Sequence, residues 1–144
     1  MSRPLPAPTG DVAVLVARIV LGVVLIAHGL QKLVSNGFAA TSASFAKMGV
    51  PVPPVSAAYS TVVELGGGIL ILLGALTTVA AALVVLDMFG AFAFVHVSKG
   101  VFVGGGGWEL VAVIAVSAVL LAVGGAGRYS LDHALSSRKT AVAA

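Results

Sequence analysis

The stretch VSAAYSTVVELGGGILILLGALTTVAAALVVLDMFGAFAFVHV, from Val55 to Val97, decides the fold. It is more than twice the length of about 20 apolar residues that one bilayer crossing needs. Gly74, Thr77 and Thr78 mark the best place to break it, because glycine ends helices and the polar pair opens the next one. The stretch is therefore predicted to be two transmembrane helices joined by a tight turn, about 55–76 and 77–98. Glu64 and Asp87 then fall near the middle of their own spans.

Two further apolar runs flank this pair. Upstream, Asp11 is expected to cap a helix over about 12–33, in which His28 and Lys32 lie one turn apart and share a face. Arg18 interrupts the apolar core that a cleaved secretory signal would need, so this helix is read as retained. Downstream, Trp108 opens a helix over about 108–125, where an indole suits the interfacial belt and Glu109 lies at the mouth. The connection 34–54 holds Phe38, Phe45 and Met48, which suit packing on the bilayer interface or over the bundle mouth. Its Pro51, Pro53 and Pro54 rule out a continuous helix. The segment 98–107 ends in four glycines and reads as a flexible or closely packed loop.

The resulting expectation is an all-α, polytopic membrane protein: a four-transmembrane-helix bundle over 11–132, preceded by a disordered tail 1–10 and followed by a basic tail 133–144. Composition agrees. The 144-residue chain is 59% hydrophobic and 9% charged, with a mean hydropathy of +1.13, too apolar for a soluble surface. The absence of cysteine excludes disulfides and thiolate chemistry by the chain itself. The formal charge of +3 comes from scattered Lys and Arg, so nucleic acid is set aside. An even number of spans puts both termini on one side. Arg3, Arg128, Arg138 and Lys139 there, against Lys32, Lys47 and Lys99 opposite, favour cytoplasmic termini.

Charges at membrane depth are costly enough to need partners or a purpose, so the buried ionisable residues are the candidate site. At about 1.5 Å rise per residue, Arg18 and Asp87 come to similar depths. They are expected to form an architectural ion pair, with Arg18 to Glu64 as the alternative if the helix order differs. His28, Lys32, Glu64, His96, Lys99 and Glu109 gather toward the outer mouth as candidates for binding a substrate or quinone. Two imidazoles near a carboxylate suit a quinone-like carbonyl or a proton relay. The bland reading is that such contacts only lock the bundle. No metal site is expected from these residues. The glycines Gly22, Gly29, Gly66, Gly67, Gly68 and Gly90 are read as permitting close helix contact.

These residues resemble the DoxX family. The pattern runs through Arg18, Gly22, His28, Gly29 and Lys32, then Glu64, Gly67, Gly68 and Gly74, then Met88, Ala91, His96, Gly100, Phe102 and Glu109. It closes with Gly125-Ala126-Gly127-Arg128-Tyr129-Ser130-Leu131-Asp132. Ala126 departs from relatives that often place proline there. The resemblance implies a multi-pass protein of the bacterial plasma (inner) membrane, related to the small subunit of thiosulfate:quinone oxidoreductase and linked to sulfur metabolism and oxidative stress. It further implies a quinone as cofactor and redox enzymes or a respiratory complex as protein partners, with a homo-oligomer left open. The chain carries no haem motif or flavin fold, so electrons would pass through a quinone or a partner. Two functions follow as expectations: a subunit of a quinone-linked oxidoreductase with an outer-leaflet polar site for a quinone or a small anionic sulfur substrate, or a non-catalytic scaffold anchoring redox enzymes.

Overall fold

A computed structural model of the chain describes residues 7–142. Part of the expected disordered tail, 1–6, lies outside the described residues, and 7–10 is already helical. The first helix, α1 (Ala7–Leu30), continues as a wide π turn over Gln31–Ser35. It starts upstream of the expected 12 because Pro8 sits in its first turn, where a missing N–H costs nothing. Asp11 therefore does not cap it. Its carboxylate accepts the Arg128 N–H at 3.0 Å, joining the start of α1 to the chain leaving the last span.

The connection 34–54 contains a helix, α2 (Phe38–Lys47), bounded by Gly37 and Gly49 at φ +79° and +75°. The prolines lie beyond it and do not prevent it. Thr41 is buried and donates to the Lys32 carbonyl at 2.9 Å, which ties α2 to the end of α1. Helix α3 spans Pro53–Leu73, with prolines in its first turn and a π turn over Val63–Gly67. Gly74, at φ +66°, ends it, and the Ala75 N–H closes back on the Leu70 carbonyl at 2.9 Å.

Helix α4 spans Thr77–Lys99 and contains a third π turn, Phe92–His96. Helix α5 (Glu109–Gly124) is shorter, at 16 residues, and apolar after Glu109 except for Ser117. At about 1.5 Å per residue it covers roughly 24 Å. The basic tail is helical as far as Val142, in α6 (Leu131–Val142), and 143–144 lie outside the described residues. Its Asp132 lies in the first turn, where carboxylates favour the helix dipole.

The spans α1, α3, α4 and α5 form the bundle, with α4 against α5 and α1 against α3 as its main contacts. Leu21, Leu25, Ile71, Val84, Ala118 and Leu121 fill the centre. The outside carries exposed apolar side chains such as Val20, Leu86, Leu120 and Val123, as a surface facing lipid tails requires. The α1–α3 crossing is built on Gly22, Gly29 and Gly68. A β-carbon on Gly29 would stand 2.6 Å from the Leu65 nitrogen, and one on Gly22 2.9 Å from the Gly68 carbonyl oxygen. Gly66 and Gly90 face open space and take no part in helix contact.

Candidate functional site

The polar side chains divide between the two ends of the bundle, but along a different line from the one predicted. At the end where α1 begins and α5 finishes, Arg18 is 1% exposed and makes no ion pair with Asp87 or Glu64. Its guanidinium donates to four carbonyls instead: Ile71 (2.9 Å), Leu72 (2.8 Å), Ala126 (2.9 Å) and Tyr129 (2.7 Å). Two of these lie in the last turn of α3, where the Ile71 carbonyl also accepts the Gly74 N–H, and two belong to the loop after α5. The expected pairing fails for a geometric reason. Helical side chains lean toward the N-terminus of their own helix, so Arg18 reaches away from Asp87, toward the turn at Gly74. Asp87 is ten residues past Thr77, roughly 15 Å further along the bundle.

The architectural reading of Arg18 therefore stands on backbone carbonyls. Gly74 is part of the same device, because a β-carbon there would lie 2.6 Å from the guanidinium carbon. From α6, the Asp132 carboxylate accepts the N–H groups of Leu76 (2.8 Å) and Thr77 (3.0 Å) and so caps α4 from outside. Partial burial pushes the Asp132 carboxyl up, but those two backbone donors, together with the Thr77 side chain and the Arg18 charge, hold the group below the usual carboxylate range.

At the opposite end, α1, α3, α4, the start of α5 and the α2 connection enclose a cavity of about 520 Å³. Four predicted candidates line it: His28, Lys32, Glu64 and His96. Lys32 and Glu64 form a salt bridge, with Glu64 almost fully buried. Asp87, expected elsewhere, also lines the cavity and accepts the Ser60 hydroxyl at 3.3 Å. His28 has no hydrogen-bond partner among the described residues and sits beside Lys32. His96 Nδ1 lies 2.6 Å from the Gly106 carbonyl. A carbonyl can only accept, so Nδ1 carries the proton, and in the neutral ring Nε2 is left as an acceptor.

Three of these residues ride on wide turns. Lys32 lies in the π turn Gln31–Ser35, Glu64 in Val63–Gly67 and His96 in Phe92–His96. Such turns hold one residue more than an α-helical turn and are frequent at functional sites. Apolar side chains complete the lining, among them Phe45, Met48, Met88, Phe94, Leu110 and Ile114. Trp108 stacks edge-on against Phe92, ring centres 6.2 Å apart, beside the lining residue Gly107.

The remaining two candidates serve the loop instead. Glu109 accepts the Val103 N–H at 2.6 Å, and Lys99 is exposed and lies along Gly106. Neither lines the cavity. The glycine-rich segment is closely packed: the Gly107 N–H bonds the Phe102 carbonyl, the Trp108 N–H the Gly100 carbonyl and the Glu109 N–H the Val101 carbonyl. Sequence reasoning missed Tyr59 and Ser60 as lining residues. A signal for Ser60 was present, since it precedes Glu64 by one helical turn and shares its face. Among the described residues, no three or more His, Asp or Glu side chains gather closely enough to hold a metal ion.

The profile of the DoxX family matches residues 13–97, which include most of α1, all of α3 and nearly all of α4. The chain is similar to the membrane protein Rv3486 of Mycobacterium tuberculosis, at 33% identity over 94% of this chain and 88% of the relative. It is also similar to the inner membrane protein YqjF of Escherichia coli, at 34% identity over 89% of this chain and 95% of the relative. No solved structure matches it significantly.

Proposed function

Because the chain belongs to the DoxX family of membrane proteins, which is linked to membrane redox roles, we propose that it is a quinone-binding redox subunit of the bacterial inner membrane. One observation carries this reading. A single cavity of about 520 Å³ combines a polar end, made by His28, Lys32, Glu64 and His96, with a largely apolar remainder. That division suits an amphiphile with a polar ring and a hydrocarbon tail. A quinone supplies, when bound, the electron-carrying chemistry that a chain without cysteine lacks. The residues themselves bind and orient. Lys32, steadied by Glu64, is a donor for a ring carbonyl. His28, unpartnered, is a second donor or a proton carrier. His96 holds the loop of Gly106 over the site while keeping Nε2 as an acceptor.

The reading is tested by extracting the purified protein and measuring copurified menaquinone or ubiquinone. Quinone should be present in the wild type and lost from folded His28→Ala and Glu64→Gln variants. Unchanged quinone content in both variants would sink the proposal.

A second reading, an anchoring scaffold for redox enzymes, is favoured by α6, whose Leu131 and Leu135 are exposed on the same helix as Arg138. Under it, removing residues 138–144 abolishes partner copurification and His28→Ala does not.

A further inference from the structure

Two carboxylates face one ammonium at the polar end of the cavity. Glu64 gives one carboxylate oxygen, Oε2, to Lys32, and among the described residues no donor reaches Oε1. Asp87 accepts only the Ser60 hydroxyl, on Oδ2 at 3.3 Å, and Oδ1 is unmatched. Both side chains are more than nine-tenths buried, Glu64 at 5% and Asp87 at 7% exposed, and both line the cavity. Neither oxygen is sealed away: among the described residues the buried side-chain atom without a partner is Thr77 Oγ1, so both free carboxylate oxygens keep access to the cavity and are open to a donor on a ligand. Lys32 pairs with Glu64, and among the described residues no ion pair reaches Asp87.

Resting on the quinone reading above, we propose that the cavity selects the reduced, hydroxyl-bearing hydroquinone over the oxidised quinone and rejects anions, with Asp87 as the residue that makes the selection. A hydroquinone hydroxyl donates where a quinone carbonyl can only accept. Set against Asp87 Oδ1, it fills the missing partnership with a charge-assisted bond. A carbonyl in the same place would set two acceptors against each other. A small sulfur anion would meet two carboxylates against the single Lys32 ammonium. Ser60 keeps the other Asp87 oxygen occupied and so leaves Oδ1 as the oxygen for the ligand. The proposal concerns binding alone, and no electron moves in it.

The test is anaerobic equilibrium binding of decylubiquinol and decylubiquinone to the full chain in mild detergent, with thiosulfate as competitor. A hydrogen bond to a charged group predicts that the quinol binds at least about tenfold more tightly than the quinone. Asp87→Asn should weaken quinol binding about tenfold and leave quinone binding unchanged or tighter, because an amide also donates. Ser60→Ala should retain the preference, and thiosulfate should displace neither form. The wild-type ratio needs no variant to fold. Equal binding of both redox forms, or displacement by thiosulfate, overturns this inference and leaves the quinone reading standing. Binding of neither form overturns both.

Discussion

Arg18 and Asp132 hold the two sides of one turn: the guanidinium takes the carbonyls of Ile71 and Leu72 where α3 ends, and the carboxylate takes the N–H groups of Leu76 and Thr77 where α4 begins. Between them Leu76 adopts φ +48°, a left-handed conformation unusual for a residue with a side chain. The ends of two helices are thus satisfied by side chains far away in sequence. The loop Gly125–Ser130 is drawn in by the same arginine through Ala126 and Tyr129.

Arg18→Lys keeps the charge but cannot serve four carbonyls with one compact ammonium. It is expected to destabilise the bundle by about 3 kcal/mol, since buried acceptors left unmatched cost roughly 1–3 kcal/mol each. Unfolding in mixed micelles measures this. A lysine variant as stable as the wild type would show that the four bonds do not hold the turn.

Asp132 makes stability depend on acid. Its folded-state carboxyl is held below the ordinary value of 3.8, so its contribution is complete above that value and is lost as pH falls through the lower, folded-state one. The melting temperature of the wild type should therefore exceed that of Asp132→Asn at neutral pH, and the gap should close below about pH 4. A gap independent of pH would remove the carboxylate from the account.

Lys32 and Glu64 should show strong coupling. Removing one partner of a buried pair strands the other, at about 3–5 kcal/mol, whereas replacing both with neutral groups costs far less. Lys32→Met is thus expected to be destabilising and Lys32→Met with Glu64→Gln to recover at least half of the loss, as a double-mutant cycle reads directly. Additive losses would mean the two residues act separately.

Two glycines only 37 residues apart in the chain should answer differently to the same change. Gly29→Ala places a methyl group 2.6 Å from the Leu65 backbone, which must move, and overpacking of this kind costs about 1–3 kcal/mol. Gly66→Ala meets nothing within 4 Å and should lie within about 0.5 kcal/mol of the wild type. The same micelle-unfolding assay ranks them, and a costly Gly66→Ala would contradict the open space beside it.

Much of the bundle was legible because bilayer thickness acts on composition alone: any run like Val55–Val97 must cross twice, and Gly74 offered the place to turn. Partner choice was less legible. Arg18 was matched to a carboxylate by charge and depth, yet its partners are carbonyls, which every residue carries and no residue type announces. Helix α2 was hidden by the prolines after it, although Gly37 and Gly49 bracket it. The cluster of His28, Lys32, Glu64 and His96 was foreseen from residue type and depth. Asp87 was assigned away from it because side-chain lean was left out of the depth comparison.

The wide turns carrying Lys32, Glu64 and His96 have a further consequence for how such a site can change. Each holds one surplus residue, and an α-helix advances by about 100° per residue. Deleting a single residue from Gln31–Ser35 would therefore leave the α1–α3 crossing at Gly22 as it is and turn the side chains at the end of that first span, Lys32 among them, by that angle. The cavity end of the bundle can be re-aimed one residue at a time, independently of the end clasped by Arg18.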